Sequence, residues 1–118
     1  GEQRGRTIGF PTLNLHLGAA IRPALGVYAV RVGIMKTNEI IWHDGVANVG
    51  SRPTFGGDDI ILEAHIIDFS DNLYGNRITV SLIEFIRPEK KFDGLKSLRA
   101  QISVDTELAR NILNAEPR

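Results

Sequence analysis

Residues 26–35, "GVYAVRVGIM", set Tyr28, Val30, Val32 and Ile34 against Val27, Ala29, Arg31 and Gly33, which is the two-residue period of a half-buried strand. Three later stretches, 39–50 ("EIIWHDGVANVG"), 60–69 ("IILEAHIIDF") and 77–86 ("RITVSLIEFI"), have the same character and are rich in β-branched residues, as strands are. The separators "PTFGGDD" and "SDNLYGN" read as turns. Four or five closely spaced strands with no helix between them predict an antiparallel barrel or sandwich, the barrel being preferred. Beyond Phe92 the period lengthens, and Leu95, Leu98, Ile102, Leu108, Ala109 and Ile112 fall at helical spacing. Asp93 is placed to cap this segment, and Ser103 with Asp105 and Glu107 marks a second start. The pattern therefore predicts a helix, a break, and a second helix packed across the sheet.

Composition narrows the class. A chain of 118 residues suffices for one core and is too short for two. Fourteen basic residues balance fourteen acidic ones, so any anion site must come from local arrangement, and neither nucleic acid nor an anionic membrane is an expected partner. With no cysteine there is neither a disulfide framework nor a thiolate zinc site. No apolar run approaches the roughly 18 residues of a spanning helix, and the first residues lack a signal-peptide pattern. The cytoplasm is the expected compartment.

Candidate chemistry begins at the amino-terminal end. In "GEQRGRTIGFPTLN", Gly1, Gly5 and Gly9 alternate with Arg4 and Arg6, a composition that brings backbone N–H groups and positive charge close to a phosphate. Neither Gly-x-x-x-x-Gly-Lys-Ser/Thr nor Gly-x-Gly-x-x-Gly is present, and a flexible terminus is the simpler alternative. Pro11 stiffens the chain just ahead of Thr12 and Asn14, which a strand would set on one face as two neutral oxygens suited to Mg²⁺. The alternative is a strand end whose polar side chains bond to a neighbouring turn.

Glu63 is the candidate base. On an alternating strand it shares its face with Ile61 and His65, with Leu62, Ala64 and Ile66 opposite. A carboxylate among apolar neighbours is a better proton acceptor than one in water. A solvent-facing strand glutamate is the competing reading, and Glu84 in the next strand looks similar. The "FIRPEKKFDG" junction, with Arg87, Lys90, Lys91 and Phe92, could hold a planar phosphorylated ligand by stacking and charge, or be a solvated corner anchored by Phe92. Asp58 and Asp59 are read as turn residues, and His16, His43 and His65 lack zinc-ligand spacing.

The ordered set "GRTIGFPTLN", "GVYAV", "NVGSRPTF", "LEAHIIDF", "NLYGNRITV" and "FIRPEKKFDGL", followed by "QI" and "D", resembles the riboflavin kinase family over nearly the whole chain. The likeness is greatest to the kinase module of bacterial bifunctional riboflavin kinase/FAD synthetases. It implies a mainly β fold, a six-stranded antiparallel Greek-key barrel with a C-terminal α-helix, in which residues 1–118 are the kinase domain. Strands would run to about residue 88 and helix from about 93, with the family's first strand lying before Gly1. It implies transfer of the ATP γ-phosphoryl group to the 5′-hydroxyl of riboflavin, giving FMN and ADP, with Mg²⁺ as cofactor. Thr12 and Asn14 would hold Mg²⁺ and the nucleotide phosphates, Gly5, Arg6 and Gly9 would cover those phosphates, Glu63 would be the catalytic base, and Arg87 and Phe92 would touch the flavin. An adenylyltransferase domain would lie upstream; no His-x-x-His nucleotidyl-transferase signature occurs within these residues, so no FAD synthesis is expected from them. The competing function is a noncatalytic β-barrel module that binds flavin, nucleotide or a protein partner.

Overall fold

The period-two stretches pair into a single antiparallel sheet. The structure, a computed structural model, describes residues 23–70 and 76–116 together with the backbone of 13–16. Strands β1 (Leu13–His16), β2 (Gly26–Lys36), β3 (Glu39–Thr54), β4 (Gly57–Ile66) and β5 (Ile78–Arg87) lie in the order β1-β4-β3-β2-β5. Chain neighbours β2, β3 and β4 form hairpins, β5 pairs with the free side of β2, and β1 pairs with the outer side of β4. Among the described residues β1 and β5 are the two edges of the sheet, and no pairing joins them.

Alternation divides the sheet into an inner and an outer face. The inner face carries Tyr28, Val30, Val32 and Ile34 of β2, Ala47 and Val49 of β3, and Ile60, Leu62, Ala64 and Ile66 of β4, all buried in one cluster. Ile78, Val80 and Leu82 of β5 pack against the same cluster, so residues of the sheet itself make up most of this core. On the outer face Val27, Ala29 and Val46 meet Ala109 and Leu113 of a single helix, α1 (Leu95–Ala115). Leu113 is fully buried there, a burial worth about 2 to 3 kcal/mol. Arg31 reaches the far end of the same helix, where its Nη2 donates to the Leu113 carbonyl at 3.1 Å, which also accepts from the Glu116 backbone N–H at 3.3 Å, so a cation from the sheet stands at the negative end of the helix dipole.

Four details depart from the sequence pattern. The β3–β4 hairpin is longer than its apolar stretch: pairing continues from Gly50 opposite Ile61 to Thr54 opposite Gly57, and only Phe55 and Gly56 form the turn. Backbone pairing asks nothing of side-chain polarity, and β2 stops pairing with β3 at Val49, so Pro53 occupies a two-stranded extension where proline is tolerated. Asp58 and Asp59, read as turn residues, are therefore strand residues. Finally, the expected break in the helix is absent. Asp105 and Thr106 are buried in the middle of α1, with the Thr106 hydroxyl donating to the Ile102 carbonyl at 2.7 Å. The helix starts after Gly94, in extended conformation, and not after an Asp93 cap.

Candidate active site

Two irregularities in β5 shape the site. Opposite β2, Tyr28 pairs with Phe85 and Val27 with Arg87, leaving Ile86 over; Ala29 pairs with Glu84 and Val30 with Leu82, leaving Ile83 over. Such bulges re-aim side chains, and both extra isoleucines pack into the outer cluster beneath α1. Arg87 is thereby delivered beside Val27 at the end of the strand, on the side where the helix lies.

A cleft of about 260 Å³ opens there between the sheet and α1. Its sheet wall is Asn48, Glu63 and His65; Arg87 and Phe92 come from the end of β5 and the segment beyond it, and Asp105 from the helix. Glu63, the predicted base, and Arg87 and Phe92, the predicted flavin contacts, thus come together although 24 to 29 residues separate them in sequence. Glu84, the look-alike, is exposed on β5.

The register explains why Glu63 faces this cleft. Leu62 and Ala64 go to the inner core, which obliges Glu63 to point outward. Directly opposite it stand Asn48 on β3 and Asn14 on β1, so the carboxylate occupies the centre of a three-strand row with an asparagine position on each side. The Asn48 amide also donates to Glu89 Oε1 at 3.4 Å. Gly50 makes room for that approach, since a Cβ there would lie 2.8 Å from the same oxygen. Gly5, Arg6, Gly9 and Thr12 lie outside the described residues, and for Asn14 the backbone alone is described.

At the helix wall the charges are paired. Asp105, its side chain 4% exposed, accepts from Arg87 Nε at 2.9 Å and Nη2 at 2.8 Å, and from Gln101 Nε2 at 3.0 Å. A buried carboxylate is tolerated because a two-pronged guanidinium answers both its oxygens. Arg87 also stands 6.0 Å from the centre of the Phe92 ring, and Lys90 Nζ 5.9 Å from it, so the ring carries two cations within cation–π range. Burial pushes the His65 imidazole down from 6.5 to about 4, the nearby Asp105 charge opposing only part of that shift. His65 is therefore neutral at pH 7.

Asn48, Glu89 and Asp105 escaped the sequence reading as site residues. The first two owe their place to the register and to a close approach over Gly50, neither of which composition reveals. Asp105 carried a misleading signal, since an acid following a serine imitates a helix start. Among the described residues no group of three His, Cys, Asp or Glu side chains is arranged to hold a metal. Glu63 and Asn48, the two members of the strand row whose side chains are described, line the cleft with a carboxylate and an amide, whose oxygens are of the hard type that suits Mg²⁺. No helix among the described residues is long and apolar enough to cross a membrane.

Comparison with known proteins bears on the family of the chain. The riboflavin kinase (flavokinase) family model matches residues 1–113. A bifunctional riboflavin kinase/FMN adenylyltransferase of Haemophilus influenzae is 45% identical over 115 residues, covering 98% of this chain and 36% of the relative. The enzyme of the same name from Escherichia coli K12 is 44% identical over 110 residues, covering 93% of this chain and 34% of its own. That of Bacillus subtilis is 40% identical over 113 residues, with 92% and 34% covered. A solved Streptococcus pneumoniae structure, described as a macrolide-efflux protein, matches with a TM-score of 0.81 and 39% identity over 94% of this chain and 36% of its own. The chain thus spans roughly a third of the relatives' length, and over that span it belongs to the riboflavin kinase family.

Proposed function

We propose that this chain is an ATP:riboflavin 5′-phosphotransferase module, forming FMN from riboflavin and ATP, within a longer protein that also carries an adenylyltransferase domain. The observation that carries the reading is the convergence of Glu63, Arg87 and Phe92 on one cleft, in a chain whose relatives bear the name riboflavin kinase. The aromatic and cationic end of the cleft suits a planar ring, and the carboxylate end suits a hydroxyl.

In this proposal the flavin ring lies against Phe92 and Arg87, with the ribityl chain running along the sheet wall toward Glu63. The Glu63 carboxylate accepts the proton of the 5′-hydroxyl as that oxygen bonds to the γ-phosphorus and the bond to the bridging oxygen of ADP breaks. A loose phosphoryl-transfer transition state asks the protein chiefly for alignment and charge neutralisation. Thr12 and Asn14 would hold Mg²⁺, which when bound neutralises charge on the phosphates; the register of Asn14 opposite Glu63 supports that assignment. Gly5, Arg6 and Gly9 would close over the phosphates with backbone N–H groups and a guanidinium.

The deciding experiment is incubation of the protein with riboflavin, ATP and Mg²⁺, separating flavins by chromatography. FMN should accumulate in proportion to enzyme and should stop when Mg²⁺ is chelated. A protein that binds flavin but yields no FMN is a binding module, and the proposal fails. Asn14→Ala should weaken affinity for Mg-ATP while leaving riboflavin affinity in place; unchanged Mg-ATP affinity would remove Asn14 from the ligand set.

A further inference from the structure

Arg87 is not a free cation waiting for a ligand. Each of its three guanidinium nitrogens already donates: Nε and Nη2 to the two oxygens of Asp105, and Nη1 to the carbonyl of Pro88 at 2.9 Å. What remains for a ligand is the guanidinium plane and one N–H on each terminal nitrogen. The plane's position beside the Phe92 ring is set by Asp105, itself held from the next helical turn by Gln101. The Arg87–Asp105 pair also ties the middle of α1 to the end of β5, so the two walls of the cleft cannot separate without uncovering a buried carboxylate.

We propose that Asp105 is a positioning residue for flavin binding: it fixes the plane of Arg87 beside Phe92 and locks α1 at the spacing that admits a flat ring, without touching the reacting atoms. The inference rests on the riboflavin kinase reading and deepens it. Glu63 keeps its strand neighbours Asn14 and Asn48 whatever stands at 105, so the effect belongs to riboflavin affinity and not to the chemical step.

The test compares the unsubstituted protein with Asp105→Asn and Asp105→Glu, reading riboflavin Kd from flavin fluorescence without nucleotide, and then kcat and KM for each substrate. Asp105→Asn should raise riboflavin Kd and KM between about tenfold and about a hundredfold, with kcat and the KM for ATP within about twofold, as expected when a positioning group slips by an ångström. Asp105→Glu, which keeps the charge, should recover part of the lost affinity. Unchanged riboflavin affinity in the folded Asp105→Asn protein, or a loss confined to kcat, overturns the proposal. Should that variant not fold, Gln101→Ala removes one hydrogen bond from the same carboxylate and leaves the ion pair. It must then raise riboflavin KM several-fold, and an unchanged value there overturns the proposal equally. Absence of FMN production by the unsubstituted protein would sink the kinase reading itself, whereas the outcomes above sink only the role of Asp105.

Discussion

Acid should destabilise this fold through one imidazole. His65 sits on the outer face of β4 opposite Val46, at the cleft wall shared with Asp105, and burial lowers it from 6.5 to about 4. Between those two values the unfolded chain binds a proton at this site and the folded one does not, so stability rises with pH across that window. The stabilisation from a neutral His65 is complete above about pH 6.5, declines as pH falls, and is exhausted below about pH 4. At about 1.4 kcal/mol for each pH unit of separation, the full loss is roughly 3 kcal/mol, a large share of the 5 to 15 kcal/mol of an ordinary domain. The assay is urea unfolding at half-unit pH steps from 4 to 8, followed by the fluorescence of the single tryptophan, Trp42, for the unsubstituted protein and for His65→Gln. Carboxylates titrate in both proteins, so the difference between the two curves isolates the imidazole. That difference should be flat above about pH 7 and should shift in favour of the variant by roughly 3 kcal/mol on going to pH 4. Parallel curves, or a shift in favour of the unsubstituted protein, would refute the burial argument.

Two packing tests accompany it. Gly26 has φ +147°, and a Cβ there would be driven onto the Arg87 carbonyl oxygen and to 2.7 Å from the Phe85 ring, so Gly26→Ala should cost more than about 2 kcal/mol, measured by urea unfolding; a loss below half that would mean β5 can withdraw freely. Leu113→Ala empties the joint between α1 and the outer face and should cost about 2 to 5 kcal/mol with little change in the slope of the unfolding curve; a smaller loss would show that the helix is held by its ion pairs instead.

How much of this was legible in the sequence varies from element to element. The faces of β2 and β4 were readable because alternation of Val, Ile and Leu with polar residues is a local property, and the outward direction of Glu63 follows from it. The extent of the β3–β4 hairpin was not, since backbone pairing beyond Gly50 leaves no apolar trace. Nor were the bulges at Ile83 and Ile86, which depend on how β5 meets β2 and on the helix packed above them. The helix break was misread because Asp105 looks like a start signal to a local eye, whereas its partner, Arg87, is 18 residues away. The meeting of Glu63 with Phe92 was foreseeable only from the resemblance of the ordered motifs to a known family. Registers and crossovers brought the two together, and a one-dimensional pattern does not record them.

The proposed function turns on Glu63 accepting the proton of the flavin's terminal alcohol, and single-turnover FMN formation by Glu63→Ala tests it most directly. With riboflavin and Mg-ATP both saturating, the rate should fall by about 10²- to 10⁴-fold while the affinity for each substrate stays close to that of the unsubstituted protein. A folded variant that forms FMN at an undiminished rate would contradict the account.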